Sequence, residues 1–310
     1  MTSTTNRPVA VPVAARVRAR TVAIVAGVVG GCALALLWSA EFVDREIGMS
    51  VANSVLGYDA RETAIGGAVA GVAFAFVSGF AGTFTACNVA VFGALPAVAA
   101  GSRRSQRAAR VTGTLRAVGW LSAGALAVAV VYGFAAVLAG PALPQLSTAT
   151  VGDGVPARLV QSSVVFGVVG LAFCYLGLAS LGVLRDPFAS RPTARLLVLG
   201  ALVGAFVVGR PYPLFFKLLT YAVATDNPLY GSLALGLQVL GNVLLMAAVA
   251  LVLGLLAGRA GGRWLTDPGR VAIIGGAALL LVGTFLVVYW DVRLPALFGY
   301  GWFPTMPWNA

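Results

Sequence analysis

The sequence predicts an all-α, polytopic membrane protein, and two observations predict it. Apolar runs at 21–40, 64–100, 117–139, 160–184, 196–224, 229–257 and 271–290 each approach or exceed the ~18–20 residues a helix needs to cross ~30 Å of hydrocarbon. The arginines between them gather in every other loop. Composition agrees: 59% of the 310 residues are hydrophobic and 10% are charged, too little polar surface to coat a water-soluble fold of this size.

Arg7, Arg16, Arg18 and Arg20 precede the first run, and Arg103, Arg104, Arg107, Arg110 and Arg116 follow the second. Arg185, Arg191 and Arg195 follow the fourth, and Arg259, Arg263 and Arg270 the sixth. The intervening loops are acidic or mixed, with Glu41, Asp44, Glu46, Asp59 and Glu62, then Asp153 with Arg158, then Asp226. Arginine enrichment marks the cytoplasmic side. The expected arrangement is seven crossings of the inner (plasma) membrane, with the N-terminus in the cytoplasm and the C-terminal tail outside. The net charge of +11 is then topological and lipid-facing, so no nucleic-acid partner is expected and the bilayer is the main one.

Residues 1–63 read as a cytoplasmic tail, a first helix and an outer loop. The first apolar run is longer than a signal-peptide core, and Trp38-Ser39-Ala40 makes a weak cleavage site, so the run reads as an uncleaved anchor. The run at 64–100 is too long for one simple crossing, and Gly79, Gly82 and Pro96 punctuate it. The run at 196–224 is interrupted by Gly209, Pro211 and Pro213, and proline inside a helix removes a hydrogen bond and clashes with the preceding turn. The spans therefore group as two sets of three, 64–184 and 196–290, each opening on an interrupted helix. An odd number per set requires the second to be inverted across the membrane. Paired interrupted spans in corresponding positions point to a binding site near the midplane. Residues 291–310 form an extracytoplasmic aromatic tail, read as an interfacial anchor or a docking surface.

Several chemistries are excluded. Histidine is absent, which removes the commonest metal ligand and general base. No metal or cofactor is expected, and neither a conventional hydrolase nor a dehydrogenase. Cys32, Cys87 and Cys174 lie within predicted spans without a CxxC pair, so a structural extracellular disulfide is not expected. Cys32 and Cys174 read as small buried apolar residues. Cys87 ends a small and polar patch that contains Thr83 and Thr85 and is followed by Asn88, which reads either as interhelical hydrogen bonding or as part of a site. Arg210 and Lys217, the only lysine, stand seven residues apart, about two helical turns, so both can face one side. An ionisable residue at membrane depth suggests a site, and snorkelling to the interface is the other reading. Gln238 and Asn242, four apart on one helical face, either line the same cavity or bond neighbouring helices.

These motifs resemble the transmembrane region of cytochrome c biogenesis and disulfide reductase proteins, the CcdA/DsbD type, within the wider LysE-like group. The resemblance runs over about 64–290. It rests on Phe76-Val77-Ser78-Gly79 through Cys87 to Leu95-Pro96-Ala97, and on Gly204 through Arg210-Pro211-Tyr212-Pro213 followed by Asn227-Pro228-Leu229-Tyr230-Gly231. It implies two three-helix halves, each opening on a helix broken at a Pro-Cys pair whose thiols pass electrons across the membrane. The implied partner is a thioredoxin-like or cytochrome assembly protein. This chain departs from that pattern: Ala86 precedes Cys87, and the second cysteine falls at or near Tyr212. One thiol cannot form the intramolecular disulfide of a two-electron relay. Two expectations follow. One is transmembrane thiol transfer or cytochrome c biogenesis with Cys87 as the reactive group. The other is transport of a small, anionic solute on the same scaffold through Thr83, Thr85, Asn88, Arg210, Tyr212, Lys217, Gln238 and Asn242.

Overall fold

A computed structural model describes residues 13–39, 42–84, 107–152, 154–210, 212–260 and 268–308. Among them, six helical segments are long and apolar enough to cross a membrane: Val17–Leu37, Leu115–Ala142, Ala157–Ser180, Pro192–Gly209, Pro228–Ala248 and Gly269–Leu297. The chain is an all-α, multi-pass membrane protein. Between 22% and 56% of each segment's most apolar window is buried, and Val131, Val164, Val168, Leu171, Leu233 and Leu244 stand exposed on the rest. That much outward apolar surface on Leu115–Ala142, Ala157–Ser180 and Pro228–Ala248 requires lipid around it.

The helices in chain order are α1 (Val13–Leu37), α2 (Ser50–Leu56), α3 (Ala68–Ala81), α4 (Arg107–Ala139), α5 (Ala157–Ser180), α6 (Pro192–Gly204), α7 (Phe206–Gly209), α8 (Pro213–Ala224), α9 (Pro228–Ala260), α10 (Pro268–Val287) and α11 (Leu294–Leu297). A π-helical segment, Phe42–Met49, precedes α2, and another, Val288–Arg293, follows α10. A ribbon pairs Thr150–Val151 with Val155–Pro156 ahead of α5. The expected second span is represented by α3 and a 3₁₀ turn, Gly82–Phe84. Its remainder, with Pro96, lies outside the described residues. Fourteen residues of α3 rise only about 21 Å, short of a full crossing on their own.

Small residues set the packing. Helices α4 and α9 run antiparallel along the middle of the fold, with Gly133 against Gly231. Helix α3 runs parallel to α9 on one side and α6 runs parallel to α4 on the other. A Cβ at Gly79 would overlap the carbonyl oxygen of Gln238, and a Cβ at Gly200 would overlap that of Leu121. Glycine there lets the backbones touch, the usual way in which helices associate without a hydrophobic drive. Helices α5 and α10 cross antiparallel through Gly170 against Gly283 and Gly177 against Gly276, and α1 runs parallel to α10.

Two cores result. Phe166, Phe173, Phe206, Phe285 and Trp290 fill the space among α1, α5, α7 and α10, with Phe166 and Trp290 stacked at 4.6 Å. Phe74, Phe215, Leu218, Leu219 and Leu235 fill the space among α3, α8 and α9. The start of the tail is tied back to the bundle. Arg293, 6% exposed, turns back and donates from Nη1 to the carbonyls of Ala35 (2.9 Å) and Trp38 (2.8 Å). It caps the C-terminus of α1, where orphan carbonyls and the helix dipole favour a cation.

Candidate functional site at the joint of two interrupted helices

The interruption between α7 and α8 follows from local chemistry. Arg210 and Tyr212 each precede a proline, and proline pushes its predecessor out of the helical region. Both are extended, at φ −79°, ψ 116° and φ −64°, ψ 130°. Pro213 then opens α8 at a position where its missing N–H costs nothing.

A broken helix in a membrane leaves carbonyls that water cannot reach. Gln145 Nε2 donates to Arg210 O (2.9 Å) and reaches Val207 O (3.4 Å). Gln161 Nε2 donates to Val208 O (2.7 Å). The Tyr132 hydroxyl donates to Gln145 Oε1 and lies 3.5 Å from Gln161 Nε2. Two glutamines and a tyrosine from α4, the following loop and α5 thus satisfy the break. None was singled out by the sequence, because each acts across tens of residues and carries no local signal.

Helix α3 ends at Gly82, its C-terminal cap, and a 3₁₀ turn follows. Arg210 Nη2 donates to the Gly82 carbonyl oxygen. A Cβ at Gly82 would stand 2.9 Å from Arg210 Cζ and closer still to Nη2, so a larger residue would require the guanidinium to shift. Arg210 is 7% exposed, and its Cζ lies 5.4 Å from the centroid of the Tyr212 ring. The side chain from the second break therefore sits on the backbone of the first. It does not snorkel to the surface.

The predicted site residues divide as follows. Thr83 is fully buried beside Gly82, and its hydroxyl makes long contacts to Gly79 O (3.3 Å) and Asn242 O (3.4 Å). Tyr212, Asn242 and Gln238 are all buried. The amide nitrogen and oxygen of Gln238 meet no hydrogen-bond partner among the described residues. Lys217 is not brought to the joint: its Nζ donates to the carbonyls of Ala60 (2.8 Å), Arg61 (2.9 Å) and Thr63 (2.6 Å) and stands 5.6 Å from the Phe74 ring centroid. Thr85, Cys87 and Asn88 lie outside the described residues. Of the other thiols, Cys32 is exposed and Cys174 packs beside Gly283 and Thr284. No group of three metal-binding side chains occurs among the described residues.

Fold and site define an all-α, multi-pass membrane protein in which a buried guanidinium from an interrupted helix rests on the carbonyl at the C-terminal end of α3. No family model, no curated protein and no solved structure matches the chain.

Proposed function

We propose that the chain is a membrane carrier of small anionic solutes, built on a CcdA/DsbD-like scaffold of two inverted three-helix units. The observation that carries this reading is Arg210 on the Gly82 carbonyl. A guanidinium at membrane depth costs about 2.5–3.5 kcal/mol on insertion scales, and one that joins two broken helices is placed to bind an anion when either helix moves. Its planar fork suits carboxylate, phosphate or sulfate. The amide of Gln238, which meets no hydrogen-bond partner among the described residues, offers a donor and an acceptor in the same polar interior.

The repeat reading draws support from matched contacts. The register shift that carries Gly79 onto Gly200 also carries Phe76 onto Leu197. The shift that carries Leu121 onto Gln238 also carries Gly124 onto Gly241. The contacts exchange accordingly: Gly79 meets Gln238 O as Gly200 meets Leu121 O, and Gly241 meets Phe76 O as Gly124 meets Leu197 O. At the α5/α10 crossing, Gly170 and Gly177 exchange with Gly276 and Gly283. The N-terminus is assigned to the cytoplasmic face of the plasma membrane on the arginine-rich loops alone.

A two-thiol electron relay within the chain draws no such support. Cys32 is exposed on α1, and Cys174 sits in the α5/α10 crossing, so neither accompanies Arg210. Exchange between Cys87 and a partner's thiol is compatible with the same scaffold.

The test is thermal stability of the protein in nanodiscs against inorganic phosphate, sulfate and short mono- and dicarboxylates. At least one anion should raise the melting temperature of the parent protein, fail to do so for Arg210→Gln, and do so weakly for Arg210→Lys. The reading is overturned if no anion shifts the parent protein, or if Arg210→Gln responds equally.

A further inference from the structure

Residues 42–63 lie over the joint, yet nothing in the carrier reading requires them. The π-helical segment Phe42–Met49 packs against the Gly82–Phe84 turn, and so rests on the first interruption. Gly48 is buried against the second: a Cβ there would stand 2.6 Å from the Tyr212 hydroxyl oxygen. Ala52 on α2 and Ala60 in the following loop are fully buried. The Asn53 side chain accepts from the Ala60 N–H at 2.8 Å, which ties α2 to that loop.

The loop is then held by one side chain. An ammonium has three N–H donors and no acceptor. Lys217 Nζ meets three carbonyls of the loop, those of Ala60, Arg61 and Thr63. Lys217 is on α8, the helix that starts immediately after the second interruption. Lys217 therefore couples the loop to the helix that leaves the joint.

We infer that residues 42–63 form a cover over the Arg210 joint that opens as a unit, with Lys217 as its latch. The inference deepens the carrier reading by assigning the access control of that same site. The cover seals the joint from the loop side, because Gly48, the 42–49 segment and the latch engage both interruptions together. Opening requires the three carbonyl bonds to Lys217 to part at once, so the cover behaves as a two-position element.

Lys217 is the only lysine in the chain, which makes the test direct. Its acylation by a water-soluble N-hydroxysuccinimide ester is followed in nanodiscs, where both faces are reachable, and resolved by peptide mass. No ligand is needed, so the outcome is independent of the anion test. Acylation should be slow in the parent protein relative to a lysine peptide under the same conditions. Gly48→Ala, which places a methyl against the Tyr212 hydroxyl well away from the amine, should speed it about tenfold, the order expected when overpacking falls on the closed position. Asn53→Ala, which unties α2 from the loop without crowding, should speed it in the same direction and serves if Gly48→Ala does not fold. Gly119→Ala, where an added Cβ meets nothing within 4 Å, should leave it unchanged. Acylation of the parent protein at the rate of the free peptide overturns the inference. So does an unaltered rate in both Gly48→Ala and Asn53→Ala.

Discussion

Gly82→Ala is the substitution that most directly examines how the two interrupted helices are joined. The new methyl would stand 2.9 Å from Arg210 Cζ and closer to Nη2, so the guanidinium has to leave the Gly82 carbonyl or the backbones have to part. Overpacking of a closed interior costs about 1–3 kcal/mol. Loss of the charge-assisted bond from Nη2 adds about 1.5–3 kcal/mol. The combined effect is roughly 2.5–6 kcal/mol, partly offset by the ordinary gain of about 0.5–1 kcal/mol when alanine replaces helical glycine. The assay is denaturant-induced unfolding in mixed micelles, with Gly119→Ala as the reference for the gain alone. The decisive comparison is the double variant. If the methyl acts through the guanidinium, Gly82→Ala should cost far less in an Arg210→Ala background, with a coupling of about 1–3 kcal/mol. Additive costs, with no coupling beyond about 0.5 kcal/mol, refute the argument.

Two further outcomes are expected. Arg293→Gln should expose the last turn of α1 by removing donors to Ala35 O and Trp38 O, read as faster amide exchange over residues 34–39 with the α5/α10 crossing unaffected. Gln145→Leu should destabilise the fold by about 1–3 kcal/mol, because it orphans the Arg210 carbonyl in a water-poor setting. Glu at the same position should rescue only while its carboxyl is protonated, since a carboxylate cannot donate.

The interrupted helix at 210–213 was legible in the sequence because its cause is local: two prolines in alternation force the preceding residues into extended backbone. The end of α3 carried a different local mark, the glycines at 79 and 82, which lower helix propensity. The interruption also explains what the sequence concealed. Arg210 and Lys217 share a face only on a continuous helix, and the extended stretch at Arg210 and Tyr212 resets the phase between them. Arg210 accordingly reaches Gly82, while Lys217 turns to the 60–63 loop. Gln145, Gln161 and Arg293 were invisible because each serves a carbonyl that becomes an orphan only once a distant helix ends beside it. Composition and periodicity describe a helix's faces but not which of its termini will need a partner.

The bond between Arg210 and Gly82 spans 128 residues of chain, and that separation has a temporal meaning. The first set of helices emerges from the ribosome with its interruption already formed. The side chain that completes it is synthesised roughly 6–25 s later at ~5–20 residues per second. For that interval the Gly82 carbonyl lacks the guanidinium that meets it in the folded chain, and this contact between α3 and the 210–213 stretch is completed only when the fifth expected span arrives.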